Sequence, residues 1–467
     1  MTRGISRRLL LSGLSSLVAT RAWGGAPLTS PWPVPREGNV RRVVARPNLS
    51  PPSDLIAEAK LGGKVAYVVA DGRTGEILED LNPLLPMAPA SVAKAMTATY
   101  ALETLGSKYR FKTRLIATGP VVNGVVQGDL VLAGSGDPML DTDDLADMAK
   151  ALKAAGVREI TGKFRVWAGA LPYQKVIDPS QPDQVGYNPT ISGLNLNYNR
   201  VFFEWKRGNG GYSVSLDARS EKYRPEVAIA RMRVVERASP VYTYKQDGTV
   251  DRWTVSRAAL GDGGGRWLPV RRPDLYAGEV FQWLARAHGI ALPKVLEARR
   301  QPQGTVLAQH ESAELTTIVR LMLKYSVNLT AETIGLAASI AQGANPTTLK
   351  ASAANMNVWL KENLGMRHAK MTDHSGLSDK SRLSASDMVK ALLRADGRLH
   401  GLMKEVVPLD RDGHKNPRAG HEIHAKTGSL NFVSTLAGYV ETEDGHPLIF
   451  AIFTGDMKRR ASIPREQ

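Results

Sequence analysis

Residues 64–70 (KVAYVVA) alternate and are rich in valine, and Ile77–Leu81 resumes an apolar pattern, with Asp71-Gly72-Arg73-Thr74-Gly75 between them. Two such runs on either side of a turn-forming segment predict a β-hairpin. Pro83, Pro86 and Pro89 then interrupt the chain. Residues 91–105 (SVAKAMTATYALETL) hold neither Gly nor Pro and are apolar nearly all round, which predicts a buried helix ended by Gly106. Short β-like pieces follow at 113–118, 128–133, 163–168, 212–217 and 226–236, with one helix near 143–155. Helical spacing returns at 312–325, 331–341, 348–364 and 384–394. Two strands, 433–441 and 448–454, joined by a turn at 442–446, close the pattern. The expectation is an α+β protein. One domain is built from both ends of the chain, 53–109 and 301–467, around a largely β insert, 110–300.

Of 467 residues, 43% are hydrophobic, which excludes a disordered or collagen-like chain and leaves room for two or three domains. There are no cysteines, so disulfides, zinc–thiolate sites, iron–sulfur clusters and thiol nucleophiles are excluded. The formal net charge is +16, but the cations are scattered and not interleaved with aromatics. That argues against nucleic-acid binding, and would suit peripheral contact with an anionic membrane face or an acidic wall polymer. Residues 1–26 read as an export signal. Arg3, Arg7 and Arg8 precede an apolar stretch too short to span a bilayer, and Ser6-Arg7-Arg8-Leu9-Leu10-Leu11 is similar to a twin-arginine signal. The chain is therefore expected outside the cytoplasm, in the periplasm. Residues 27–52, rich in Pro and Arg, read as an extended linker.

Three short motifs carry the chemistry. In Ser91-Val92-Ala93-Lys94 the i, i+3 spacing puts a hydroxyl and an amine one helical turn apart on one face. Serine is a weak nucleophile that needs a base, and lysine serves as one only when desolvation or a nearby cation keeps it neutral. Backbone N–H groups free at a helix start suit an oxyanion. Ser326-Val327-Asn328 lies between two predicted helices, where by itself it also reads as a helix cap. Lys426-Thr427-Gly428-Ser429, just before the final hairpin, offers a cation and hydroxyls on an exposed strand edge to a carboxylate, with Gly428 admitting a substrate backbone. By itself this run also reads as a solvated turn.

The order Ser-x-x-Lys, Ser-x-Asn, Lys-Thr-Gly resembles the serine penicillin-binding proteins and β-lactamases. The stretch from Lys94 to Ser326 is too long for a compact β-lactamase. The chain resembles the D-alanyl-D-alanine carboxypeptidase/endopeptidases of the penicillin-binding-protein-4 type, the peptidase S13 family, which carry an insert there. Gly128-Asp129-Leu130, Gly134-Ser135-Gly136-Asp137-Pro138, Leu194-Asn195-Leu196-Asn197-Tyr198-Asn199, Asp373-His374-Ser375-Gly376-Leu377-Ser378 and Arg382-Leu383-Ser384 extend the resemblance over residues 55–455.

The resemblance implies a serine β-lactamase/DD-peptidase (penicillin-binding transpeptidase-like) fold. It implies Ser91 as the acylated nucleophile and Lys94 as its base, kept neutral by burial and by Lys426. Ser326 would relay a proton to the leaving D-alanine, and Asn328 would hold Lys94 and a substrate amide. Lys426 and Thr427 would bind the terminal carboxylate, and the N–H groups of Ser91 and Ser429 would form the oxyanion hole. An acidic residue of the insert, aligned with Asp183, would meet the side-chain amine of the stem peptide; a surface-loop aspartate is the competing reading. Peptidoglycan stem peptides are the implied substrate and β-lactams the implied covalent inhibitors, with no cofactor and no metal. His421 and His424 do not have zincin spacing. Competing readings are an inactive peptidoglycan-binding or sensor protein, or a β-lactamase or esterase. One departure stands out: after the last strand, with Pro464 ahead, no closing helix is expected.

Overall fold

The computed structural model describes residues 51–462 except 396, 411, 418 and 419. The expected export signal, and the linker up to residue 50, lie outside the described residues. Pro52, placed in that linker, instead opens a helix, Pro52–Glu58, as a proline at its first position can, because that N–H has no intrahelical partner. The chain divides into two compact units. The first comprises residues up to Ala95, 364–369 and 382–462; the second comprises 96–363 and 370–381. This grouping by compactness draws its lines elsewhere than the motif-based division at 109 and 301.

In the first unit a six-stranded antiparallel sheet joins the two chain ends. Its strands are β1 (Lys64–Asp71), β2 (Ile77–Leu81), β3 (Lys404–Glu405), β4 (His421–Leu430), β5 (Val433–Thr442) and β6 (Pro447–Gly455), in the order β3-β4-β5-β6-β1-β2. The valine-rich β1 sits inside the sheet, and this explains its nearly continuous burial. Val65, Tyr67 and Val69 pack with Ile423, Leu436, Phe450 and Ile452 on one face, while Ala66, Val68 and Ala70 are fully buried on the other. The helix Ala385–Arg394 packs against β1, β5 and β6. Ser384 caps it by accepting a hydrogen bond from the Asp387 N–H, and the Tyr439 hydroxyl donates to the Leu392 carbonyl near its end.

The Lys-Thr-Gly run lies in a strand, as the strand-edge reading expects and the solvated-turn reading does not: β4 precedes the two closing strands and pairs with β5 from His421↔Thr442 to Leu430↔Val433. Its mixed pattern, with Thr427 and Ser429 exposed between buried Lys426 and Gly428, hides its extent from a hydrophobic count. One sequence expectation needs correcting: a short helix, Met457–Ala461, follows the last strand. Asp456 caps it by accepting from the Arg459 N–H, and the residues of Met457–Ala461 are good helix formers. Pro464 falls beyond it.

In the second unit a five-stranded sheet has the order Leu296–Glu297, Phe164–Trp167, Leu130–Ala133, Lys112–Ala117, Thr305–Glu311. Three three-stranded sheets accompany it. The helix Thr142–Ala154, started by a reciprocal Asp141/Asp144 capping box, packs against a second helix, Pro273–Ala287, that the hydrophobic pattern does not disclose. Leu145, Leu152, Phe164, Val166, Phe281 and Leu284 belong to the core they share.

Candidate active site

Helix α1 (Ala93–Leu105) begins one 3-10 turn after Pro89, and that turn, Ala90–Val92, packs on β4 and β5. Ala90 is held at φ 47°, a left-handed conformation rare for a residue with a Cβ. The Thr435 hydroxyl on β5 fixes the entry to this turn by donating to the Pro89 carbonyl at 2.8 Å. Ser91 is half-buried and Lys94, on the next turn, is 0% exposed. Lys94 Nζ donates to Ser91 Oγ at 2.9 Å. The pair at i, i+3 is therefore formed, with the amine out of water.

The third motif meets this pair within the same unit. A Cβ placed on Gly428 would lie 2.8 Å from the backbone nitrogen of Ser91 and 3.0 Å from the carbonyl oxygen of Pro89. The strand and the serine turn thus touch backbone to backbone, which only glycine at 428 permits. Lys426 is buried and donates to the Thr427 carbonyl at 2.8 Å; Thr427 and Ser429 are exposed. β3 pairs with β4 only at His424 and Ala425, so from Lys426 onward the outer edge of β4 has no strand partner among the described residues.

The middle motif belongs to the second unit. Helix α2 (Leu315–Tyr325) ends at Ser326, which takes a left-handed conformation (φ 60°, ψ 39°), and helix α3 (Asn328–Ala341) starts two residues later. Asn328 Nδ2 donates to the Tyr187 carbonyl at 2.7 Å, tying the motif to the loop that carries Asp183. The fully buried Arg271 holds the same loop, donating to the carbonyls of Lys175, Asn188 and Asp183. Asp183 itself is exposed. Ser326 and Asn328 line a cavity of about 350 Å³ with Gly186, Tyr187, Tyr198, Arg200 and Tyr325. Asp183 is not part of that lining.

Two of the further sequence motifs hold this unit in shape. In Leu194–Asn199 the three residues Asn197, Tyr198 and Asn199 are consecutively left-handed. Asparagine tolerates that conformation, and the buried amides brace it. Asn197 Nδ2 donates to the Thr142 and Tyr276 hydroxyls, and Asn199 Nδ2 to the Thr190 carbonyl and to Asn195 Oδ1. Residues 373–378 fold over α3. Glu332 accepts from the N–H groups of His374 (3.0 Å) and Ser375 (2.9 Å), and the His374 ring lies directly on Gly335. The Thr97 hydroxyl donates to the His374 carbonyl at 2.6 Å.

This buried pair of titratable groups gives a testable pH dependence. Burial, with Asp373 nearby, pushes Glu332 up to about 8, so it folds as a neutral acid. Its contribution is complete below the ordinary value of 4.5 and is lost as pH rises through about 8. Burial pushes His374 down to about 3, so its contribution is present above 6.5 and is lost as pH falls toward 3. Glu332→Gln is expected to flatten the fall in melting temperature between about pH 4.5 and 8. Parallel melting curves for parent and variant would refute this.

Comparison with known proteins decides the affiliation. The profile of the D-Ala-D-Ala carboxypeptidase 3 (S13) family matches residues 53–465. The chain belongs to this family. It is 25% identical over 440 residues to the D-alanyl-D-alanine carboxypeptidase DacB of Haemophilus influenzae, covering 87% of this chain and 90% of that one. It is 29% identical over 435 residues to a D-alanyl-D-alanine carboxypeptidase of Actinomadura sp. (strain R39), covering 85% and 79%. The crystal structure of penicillin-binding protein 4 from Haemophilus influenzae superposes with a TM-score of 0.71 at 24% identity, over 87% of this chain and 94% of that one. The same protein complexed with a β-lactam gives 0.69. The fold is thus that of the DD-peptidases, and the chain is a serine-type D-Ala-D-Ala carboxypeptidase. No helix among the described residues is long and apolar enough to cross a membrane.

Proposed function

We propose that Ser91 is the acylated nucleophile through which this carboxypeptidase trims peptidoglycan stem peptides, and that it acts in the periplasm after export by the twin-arginine route. The observation that carries the reading is the 2.9 Å bond between Ser91 Oγ and the fully buried Lys94 Nζ, beside a Ser91 amide that Gly428 leaves open. Burial disfavours the ammonium form, and a neutral amine can take the Ser91 proton as Oγ attacks the carbonyl carbon of the penultimate D-alanine. The oxyanion that forms is met by the N–H groups of Ser91 and Ser429. Collapse breaks the peptide bond, and Ser326 passes a proton to the leaving amine of the terminal D-alanine. Water then attacks the ester, releasing the shortened peptide and free Ser91.

Lys426 and Thr427 bind the terminal carboxylate, and Asn328 holds a substrate amide as well as Lys94. The open edge of β4 supports this reading, because an extended peptide can add there as a further strand. Asp183 is assigned to the amine of the stem peptide, an exposed position at the surface of the loop that Asn328 anchors. When the acyl donor lies in a cross-link, the same steps give endopeptidase cleavage. A β-lactam, whose ring amide mimics the dipeptide, acylates Ser91 and stays. Residues 53–109 and 301–467 are read as the catalytic part, with 110–300 as the insert. The diffuse positive charge is read as holding the enzyme near membrane or wall.

The test uses fluorescent penicillin and a D-Ala-D-Ala-terminated stem peptide. The parent is expected to label covalently and to release D-alanine, and Ser91→Ala to do neither while melting as the parent does. A folded parent that neither labels nor releases D-alanine would sink the reading.

A further inference from the structure

One three-stranded sheet of the second unit turns a row of cations to solvent. Its strands are Ala230–Val235, Val250–Ser256 and Tyr242–Asp247, with Val250–Ser256 in the middle. Side chains alternate between the two faces of such a sheet. Ala230, Met232, Trp253 and Val255 face inward and belong to the core of the unit. Arg231, Arg233, Lys245 and Arg252 take intervening positions and are all exposed. The register sets three of them directly opposite one another: Arg231 pairs with Arg252, and Arg252 with Lys245. Arg233, two residues along from Arg231, lies opposite Thr254, which in turn lies opposite Thr243. The outward positions of these strands hold a single carboxylate, Asp247, which is bonded to Arg252. Arg231, Arg233 and Lys245 make no ion pair among the described residues. Like charges directly opposite one another destabilise a sheet, so packing gives no reason for this row. An anionic surface laid against it offsets the repulsion.

We propose that this sheet face docks the enzyme on the anionic headgroups of a phospholipid surface. This rests on the reading given above of an exported enzyme held near membrane or wall, and names the partner and the residues. Two observations favour lipid over a wall polymer. The cations are spread in two directions, across three strands and along one of them, as a plane of headgroups is and a single polymer chain is not. The outward positions also carry no aromatic ring on which the sugars of a glycan could stack, because Tyr242, Tyr244 and Trp253 all pack toward the core. The contact is therefore electrostatic, reversible and sensitive to salt.

The experiment measures co-sedimentation of the protein lacking residues 1–26 with three partners: vesicles of phosphatidylglycerol and phosphatidylethanolamine, vesicles of neutral phosphatidylcholine, and isolated peptidoglycan. The parent is expected to bind the anionic vesicles and not the neutral ones, and to leave them as salt is raised. Each cation at the surface contributes roughly fivefold to partitioning, so the triple variant Arg231→Gln, Arg233→Gln, Lys245→Gln is expected to bind about a hundredfold more weakly. A control triple, Lys108→Gln, Lys150→Gln, Lys361→Gln, removes the same charge from exposed positions off this sheet. It is expected to lose about threefold or less, since charges away from the contact are screened. Both triples are expected to melt no lower than the parent and to label with penicillin at its rate. Vesicle binding that survives in the face triple, or that falls as far in the control, would overturn the proposal. So would weak vesicle binding by every protein together with peptidoglycan binding that is lost in the face triple, because the face then serves the wall polymer. A parent that docks on anionic vesicles, loses this in the face triple and does not label with penicillin bears the inference out and removes only the reading of Ser91.

Discussion

Lys94→Met is expected to slow acylation of Ser91 by penicillin by about a hundred- to ten-thousandfold while leaving the fold as stable as the parent or more so. The first half follows from chemistry. A serine hydroxyl has to lose its proton as it attacks, and a positioned base accounts for roughly 10²–10⁴ in rate. Lys94 Nζ is bonded to Ser91 Oγ at 2.9 Å, so removing it takes away the group assigned to that proton. The second half follows from burial. Lys94 is fully enclosed in α1, among apolar neighbours on its own helix such as Ala93, Ala95 and Met96, all fully buried. Replacing an enclosed polar end by an unbranched apolar chain of similar length removes a desolvation cost. Opposite signs for rate and melting temperature are therefore the expected outcome. Stopped-flow acylation and thermal melts of the two proteins check it. Fast acylation in the variant would remove Lys94 from the role of base, and a large loss of stability would mean that its bond to Ser91 is mainly structural.

How much of the fold and site is legible in the sequence depends on the kind of signal. The buried helix of Ser91 and Lys94 is readable because it has no breaker and almost no polar face. The closing strands are readable because Pro447–Gly455 is nearly all apolar and Val433–Thr442 carries Leu436, Ala437, Tyr439 and Val440 ahead of a turn. β4 is legible only as a strand edge around its motif and not in its extent, since a site strand exposes Thr427 and Ser429 and so loses its apolar alternation. The short helix after β6 is hidden by its length: its start signal is a single aspartate, Asp456, and its five residues carry no periodicity. The three motifs are identifiable by order, but the contacts each makes are not. Nothing in the sequence says that Asn328 donates to Tyr187, because that bond joins residues 141 positions apart. Arg200 escapes the sequence for a related reason. It looks like one of 61 cations, and only the fold reveals that it is half-buried, its Nε shielded from solvent and its guanidinium stacked on Tyr198 and Trp267. Leu194–Asn199 does hold a usable hint. Alternate asparagines are costly in a core unless they brace an unusual backbone, and a turn braced in that way aims the next residue, Arg200, in a fixed direction.

Gly428→Ala is expected to do nearly as much damage as removing Lys94, through sterics alone. The added methyl would lie 2.1 Å from Thr435 Oγ1, 2.8 Å from the Ser91 nitrogen and 3.0 Å from the Pro89 oxygen. Thr435 cannot simply turn aside, because its hydroxyl holds the Pro89 carbonyl at 2.8 Å. The strand has to move away from the serine turn, and the Ser91 amide moves relative to Lys426 and Thr427. Overpacking of this kind typically costs about 1–3 kcal/mol of stability. Loss of one aligned oxyanion donor costs roughly 10²–10³ in rate. The two effects separate in the double variant Gly428→Ala with Thr435→Ala. Removing the Thr435 side chain beyond its Cβ relieves the 2.1 Å clash but leaves the methyl against the Ser91 nitrogen. Part of the melting temperature is therefore expected to return while acylation stays slow. If Gly428→Ala alone acylates at the parental rate, the Ser91 amide has no part in binding the oxyanion. If the double variant regains both stability and rate, the clash with Thr435 was the whole effect, and the close approach of Gly428 to Ser91 serves packing only.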